Sequence, residues 1–193
     1  WKTYVEAIVV VADALGCEAV VTVGSGAEAI PHTRTPPVTG STATADLAQR
    51  LGLVAPSYQG ITGDVGVLQA ELEARDIPSV SLRAGIPHYL MNAEHPQATM
   101  ALVRHLSHVL DVPNTADFSD QIDSWRDIHD EIVANDEQLK MYVQLLEAEF
   151  DRTMAAVKAI RGREYLLANN EVLQSSIGLR NPYVDPLSLL QVS

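Results

Sequence analysis

The sequence predicts an α/β fold: a partial parallel sheet with helices on its faces (an α/β/α core), followed by a C-terminal helical hairpin and further helices. Three observations carry this. Two short, apolar, β-branched runs, Cys17–Val23 and Val80–Ala84, read as strands buried on both faces. Amphipathic periodicity flanks both, and a helix-strand-helix-strand-helix order calls for a parallel sheet with crossover helices. Past Pro113 the texture changes to long helices with one apolar stripe and an acidic opposite face. Two strands do not bury this many helical faces, so further strands are expected from the 30–60 region or from chain upstream of Trp1.

The first helix is expected over Tyr4–Leu15, where Val5, Ile8, Val9, Ala12 and Leu15 recur at helical spacing and Gly16 sits as a C-terminal glycine. The first strand is expected to stop at Gly24-Ser25-Gly26. Such a turn can offer backbone N–H groups to a phosphate, but it lacks dinucleotide or P-loop spacing, and a plain tight turn is the simpler reading. Ile30–Ser41, rich in Pro, Thr and Gly, must be extended or looped. A short helix is expected from about Thr44 to Leu51. Gly60, Gly63 and Gly66 then open a helix reaching Arg75, with Val65, Leu68 and Leu72 inward and Thr62 or Asp64 as cap.

After the strand Val80–Ala84 comes a polar loop, Gly85–Pro96, at the strand's carboxyl end, where open α/β sheets hold ligands. A helix follows with Ala98, Ala101, Leu102, Leu106, Val109 and Leu110 on one stripe. The hairpin's first helix carries Phe118, Ile122, Trp125, His129 and Ile132 on one face. Asn135-Asp136 makes a break and a cap, and the second helix runs from about Glu137 to Ile160. Further helices are expected over Glu164–Ile177 and after Asp185-Pro186. The organisation expected is 1–112 for the α/β part, 113–150 for the acidic hairpin and 151–193 for a C-terminal helical segment.

The chain of 193 residues is 47% hydrophobic and 20% charged, with a net charge of -12. Between Asp111 and Phe150, eleven acidic residues stand against Arg126 and Lys140, so nine of the twelve net negative charges lie there. This balance disfavours nucleic acid and anionic membrane as partners. No apolar run approaches a membrane span. Cys17 is the one cysteine, so no internal disulfide forms, and a reducing, cytoplasmic setting is the expectation. The start at Trp1, without Met, reads as a piece of a longer protein.

Few residues offer chemistry. His32 and Arg34, His88, Tyr89 and Glu94 gather around the strand ends, with Arg34 for an anion and His88 or Glu94 for proton transfer. Gly60, Gly63 and Gly66 are a weaker anion candidate at a helix N-terminus. His105 and His108, three apart on a helix, are two ligands only. No metal site, cofactor or catalytic set is expected.

Several stretches nevertheless resemble a known family. IPHTRTPPVTGS (Ile30–Ser41), LGLVAPSYQGITGDVGVLQ (Leu51–Gln69), IPSVSLRAGIPHYL (Ile77–Leu90), HPQATMALVRHLSHVL and ANDEQLKMYVQLLEAEFD resemble the actinobacterial branch of the PAC2 family, related to proteasome assembly chaperones, over about 1–150. The resemblance implies a core similar to purine nucleoside phosphorylases, a helical extension, a homotrimer and protein partners. It also implies that about the first hundred residues of the family domain are absent. From about Glu149, EFDRTMAAVKAIRGREYLLANNEVLQSSIGLRNPYVDPLSLLQV resembles the C-terminal region of phosphoenolpyruvate carboxylase. There the arginine matching Arg180 takes part in binding the inhibitory aspartate, while the catalytic histidine and metal ligands have no counterpart here. Neither family normally contains the other, so the chain reads as a fusion or as two sequences joined by mis-assignment. The function expected is a non-catalytic protein-binding or assembly module. The alternatives are an enzyme on a small anionic or nucleoside-like ligand, or a carboxylase fragment.

Overall fold

The computed structural model describes residues 2–42, 45–51, 53 and 63–155. The chain runs α1 (Lys2–Ala14), β1 (Val20–Glu28), β2 (Val38–Ser41), α2 (Ala45–Arg50), α3 (Asp64–Glu73), β3 (Ser79–Pro87), a 3-10 turn (His88–Leu90), α4 (Pro96–Leu110) and α5 (Ser119–Ala134). A sixth helix, α6, is described over 137–155. The helices expected over 164–177 and after Pro186 lie outside the described residues, as do Gly60 and Arg180.

The α/β class is as the sequence predicts, with a mixed sheet in the strand order β1-β3-β2. β1 is parallel to β3: the Val20 N–H donates to the Pro78 carbonyl at their starts, and the His88 ring bonds the Glu28 carbonyl at their ends. β2 runs antiparallel to β3, since the Gly85 N–H donates to the Pro37 carbonyl while Thr39 Oγ1 donates to the Arg83 carbonyl. The short connection from β1 to β2 contains no helix. A parallel return needs a crossover of roughly a dozen residues or more, so this loop can only bring the chain back antiparallel. The 30–60 region thus supplies one of the expected extra strands.

β1 departs from expectation. It begins at Val20 and continues through Gly24-Ser25-Gly26 to Glu28 instead of turning there. Glycine permits a turn without requiring one. Pairing with the nine-residue β3 keeps the backbone extended, which removes the phosphate-turn reading.

The described residues divide into two compact units. One comprises residues up to Gly24 with Thr39–Arg83; the other comprises Ser25–Val38 with the described residues from Ala84 onward. In the first, Val5, Val9 and Ala12 of α1 pack on Leu68 and Leu72 of α3 and on Ile77. Spacings of three and four put each set on one helical face. Gly16, at φ +62°, ends α1 as expected. Val65, expected inward, is 37% exposed: it shares the Leu68–Leu72 stripe but lies in the first turn of α3, at the exposed end of the helix.

In the second unit, α4 packs on α5. The buried part of α4 is its first two turns, Gln97, Ala98, Met100 and Ala101, whereas Leu110, expected on the stripe, is exposed. Asp111 then adopts left-handed backbone and stops the helix. α5 buries Trp125 and His129, and α6 buries Val143 and Leu146. Ile132, expected on the same face as Trp125, is 51% exposed. Gly85 is the close-approach glycine of this unit: a Cβ there would lie 2.7 Å from Glu28 Oε2 and 3.2 Å from Ile30 Cδ1. No described helix is long and apolar enough to cross a membrane.

Candidate functional site

The segment after β1, Ile30-Pro31-His32-Thr33-Arg34, is the centre of the second unit. The buried Ile30 and Pro31, with Pro36 and Pro37 just beyond, hold it in an irregular, non-helical path. Locally the Arg34 N–H donates to the Pro31 carbonyl at 3.5 Å, and the His32 N–H finds its partner elsewhere in the unit.

His32 is 1% exposed. Its backbone N–H donates to the Tyr89 hydroxyl at 2.9 Å, and its Nδ1 lies 2.8 Å from the same oxygen. Tyr89 has one proton to give, so it donates to Nδ1, which leaves the ring proton on Nε2 to donate to Asp130 Oδ1 at 3.1 Å. Burial pushes the His32 pKa below its ordinary value against the pull of Asp130, and His129 acts in the same downward direction. Burial likewise pushes the Tyr89 phenol up to about 12. Around the ring stand Tyr89 and Trp125, both edge-on, with centroids 6.0 and 6.1 Å away. With its amide oriented to satisfy both neighbours, Gln97 donates to the His32 carbonyl at 2.9 Å and accepts from the Arg126 guanidinium at 2.6 and 2.7 Å.

The next two residues reach α6. Thr33 Oγ1 donates to Glu147 Oε1, which also accepts from Arg34 Nη1 at 3.1 Å. Arg34 Nε and Nη2 grip Asp151 in a bidentate pair, both at 2.9 Å. That hydrogen bonding holds the Asp151 carboxyl below its usual range. His88 makes a third tie: its Nδ1–H donates to the Glu28 carbonyl at 3.1 Å, and its Nε2 accepts from the Tyr142 hydroxyl at 3.0 Å.

These contacts fix the path of the last two helices. Asp130 and Glu147 reach the adjacent residues His32 and Thr33, yet one straight helix would separate them by about 25 Å. The chain must fold back between them, and it does so at Asn135-Asp136. Asp136 Oδ1 accepts the backbone N–H groups of Gln138 at 2.9 Å and Leu139 at 3.0 Å, capping α6 as expected.

Four of the sequence candidates therefore meet: His32, Arg34, His88 and Tyr89. What they meet is the hairpin. Three Arg34 donor atoms are taken by carboxylates, and both nitrogens of His32 are engaged in a buried setting. Glu94 is exposed in the irregular stretch before α4 and takes no part. Gly63 and Gly66 belong to the first unit, where Gly63 precedes α3 and Gly66 lies within it; Asp64 Oδ1 already accepts the Val65 N–H there. Among the described residues no group of three or more His, Cys, Asp or Glu side chains is placed to hold a metal. His105 bonds the Ala101 carbonyl of its own helix at 2.8 Å. Sequence reasoning missed Asp130 and Glu147, which it read as part of an acidic helical face, and Asp151 just beyond that stretch; only the presence of Asp130 beside the inward-facing His129 hinted otherwise.

A small α/β sheet whose post-β1 loop clamps a C-terminal helical hairpin defines the class of this chain. The PAC2 family profile matches residues 1–133, and the chain belongs to the PAC2 family. Among solved structures it is 33% identical to a PAC2 family protein from Streptomyces avermitilis, with TM-score 0.66 over 74% of this chain and 60% of that one. It is 37% identical to a proteasome-assembly chaperone homologue from Mycobacterium tuberculosis, with TM-score 0.65 over 74% of this chain and 61% of that one. The chain thus spans about three fifths of those proteins. A protein of unknown function from Mycobacterium tuberculosis shares the fold, with 22% identity and TM-score 0.71 over 81% of this chain and 53% of that one.

A phosphoenolpyruvate carboxylase profile matches residues 126–193. The enzyme of Alcanivorax borkumensis is 42% identical over 60 residues, 31% of this chain and 7% of the enzyme. That of Chlamydomonas reinhardtii is 35% identical over 65 residues, 34% of this chain and 5% of the enzyme. The chain therefore covers only a small part of either carboxylase. The two profiles overlap over 126–133, inside α5, earlier than the quoted motifs placed the change.

Proposed function

We propose that this chain is a non-catalytic protein-binding module of the assembly-chaperone kind, in which the post-β1 loop holds the helical hairpin in place and the hairpin meets a protein partner. One observation carries the reading: His32, Arg34, His88 and Tyr89, the polar groups at the strand ends, are all spent on neighbouring backbone or on α5 and α6. A site for a small anion would need Arg34 released from two carboxylates. The name of the Mycobacterium tuberculosis relative, a proteasome-assembly chaperone homologue, supplies the partner to test, and a cytoplasmic homotrimer completes the proposal.

The test is retention of the purified chain on immobilised proteasome core particles from the same organism, with sedimentation to read its own assembly state. Retention at a defined stoichiometry supports the module. No retention, together with a saturable rise in melting temperature on adding nucleosides, phosphates or organic acids, replaces it with the enzyme reading.

A further inference from the structure

Both helices of the hairpin carry apolar residues with no cover among the described residues. On α5, Ile128 is 58% and Ile132 51% exposed; on α6, Met141 is 57% and Leu145 63% exposed. Each pair is four residues apart, so each makes a short stripe on its helix. The stripes also stand at matching distances from the connector: Ile132 and Met141 lie four and five residues from Asp136, and Ile128 and Leu145 eight and nine. Single exposed apolar side chains are ordinary, but paired stripes on two neighbouring helices are a surface.

The charge beside those stripes indicates what covers them. Asp120, Asp123, Asp127 and Glu131 recur at spacings of three and four, opposite the buried Trp125 and His129. None of the four forms an ion pair among the described residues. α6 is different: Glu137 pairs with Lys140, Glu149 with Arg152, and Glu147 and Asp151 with Arg34. Unneutralised acid is therefore concentrated on the outer ridge of α5, over about 16 Å, or three helical turns.

We propose that this face docks a basic amphipathic helix of another protein, with its apolar stripe on Ile128, Ile132, Met141 and Leu145 and its Lys or Arg side chains along Asp120, Asp123, Asp127 and Glu131. Helix-on-groove recognition of this kind reads anchors at three- and four-residue spacing, which both stripes and ridge supply. A second copy packed face to face would set one acidic ridge on another, and packed in any other way would still bring a net charge of -12 to a chain of the same charge. The inference rests on the assembly reading above and adds the partner's chemistry to it.

The test uses the full chain and two labelled synthetic helical peptides of equal length and apolar content, one patterned Leu/Lys and one Leu/Glu. Fluorescence anisotropy should show binding of the Leu/Lys peptide alone. The triple variant Asp123→Asn, Asp127→Asn, Glu131→Gln should weaken it roughly tenfold and flatten its salt dependence. The double variant Ile128→Gln, Leu145→Gln should weaken it comparably at every salt concentration. A control of equal charge change in the first unit, Glu6→Gln, Asp13→Asn, Glu18→Gln, should bind as the parent does. Circular dichroism confirms that each variant is folded. Equal loss in the control variant, or unchanged binding by the Ile128/Leu145 variant, overturns the proposal as general charge attraction. A parent oligomer that the Ile128/Leu145 variant dissociates overturns it in favour of a second copy. Retention of parent and triple variant alike on proteasome core particles sinks this surface and leaves the assembly reading standing; peptide binding without core-particle retention does the reverse.

Discussion

The two sides of the hairpin use the same residue types to opposite ends. On the side facing the post-β1 loop, carboxylates are matched one by one: Asp130 to His32, Glu147 to Thr33 and Arg34, Asp151 to Arg34. On the outer ridge of α5, four carboxylates have no cation among the described residues and stand beside exposed isoleucines. Composition alone does not separate the two. What separates them is whether a loop more than a hundred residues away, or nearly so, arrives with partners, and the difference makes one side an anchor and leaves the other free for recognition.

That comparison breaks most visibly at Trp125. It is 8% exposed, and its ring lies 4.3 Å from His129 and 5.7 Å from His95 by centroid. Trp125→Ala should cost about 3–5 kcal/mol of unfolding free energy in urea, the usual range for emptying a large aromatic site. Its burial also makes it the wrong position for probing a surface, whereas Ile128, three residues on, is the right one. If Trp125→Ala left stability unchanged, the anchored face would not be the α5 face described.

His32 comes next. His32→Gln removes a buried ring from between Tyr89 and Asp130 and should cost about 2 kcal/mol. Its pH signature is more specific. The folded-state pKa of His32 lies below the ordinary 6.5. The unfolded chain therefore binds the proton first, so the stabilisation is complete above about pH 6.5 and declines as pH falls below it. His95, His105 and His108 are shifted the same way by burial, so the parent's melting temperature should fall from pH 7 to 5 for several reasons. The slope should be shallower in His32→Gln. Equal slopes would mean that His32 does not titrate with unfolding.

How much of this was legible in the sequence depends on the distance over which each feature is decided. The fold class, the hairpin and the Asp136 cap follow from periodicity within a few residues, and they were readable. The inward positions of Trp125 and His129 were readable for the same reason. β1 was misjudged because Gly24-Ser25-Gly26 looks like a turn to any local rule, while its pairing with β3 is non-local. The candidate set was half legible: His32, Arg34, His88 and Tyr89 do converge. Their partners did not announce themselves, because the His32–Asp130 contact joins residues 98 apart and the Arg34–Asp151 contact residues 117 apart.

A smaller effect tests the fold-back itself. Asp136 Oδ1 caps the first N–H groups of α6, and Asp136→Ala should cost about 1 kcal/mol. Asp136→Asn keeps an acceptor and should recover most of it. Loss of helicity confined to the end of α6, read by amide exchange at Gln138 and Leu139, would localise the cost to the cap.

Arg34 should matter least, although it has the most conspicuous contacts. Its side chain is 34% exposed, and its partners Glu147 and Asp151 are 27% and 56% exposed, so water and salt screen both pairs. Arg34→Ala should lower the melting temperature by no more than ~2 °C, and less at high salt. Arg34→Lys should not restore the loss, because an ammonium cannot make the bidentate grip on Asp151. This ordering follows from burial rather than from the number of hydrogen bonds: His32, with its ring sealed between α5 and the 3-10 turn, holds the hairpin more firmly than a doubly paired guanidinium in water. An Arg34→Ala loss exceeding that of His32→Gln would invert the ordering and place the anchor on α6 instead of α5.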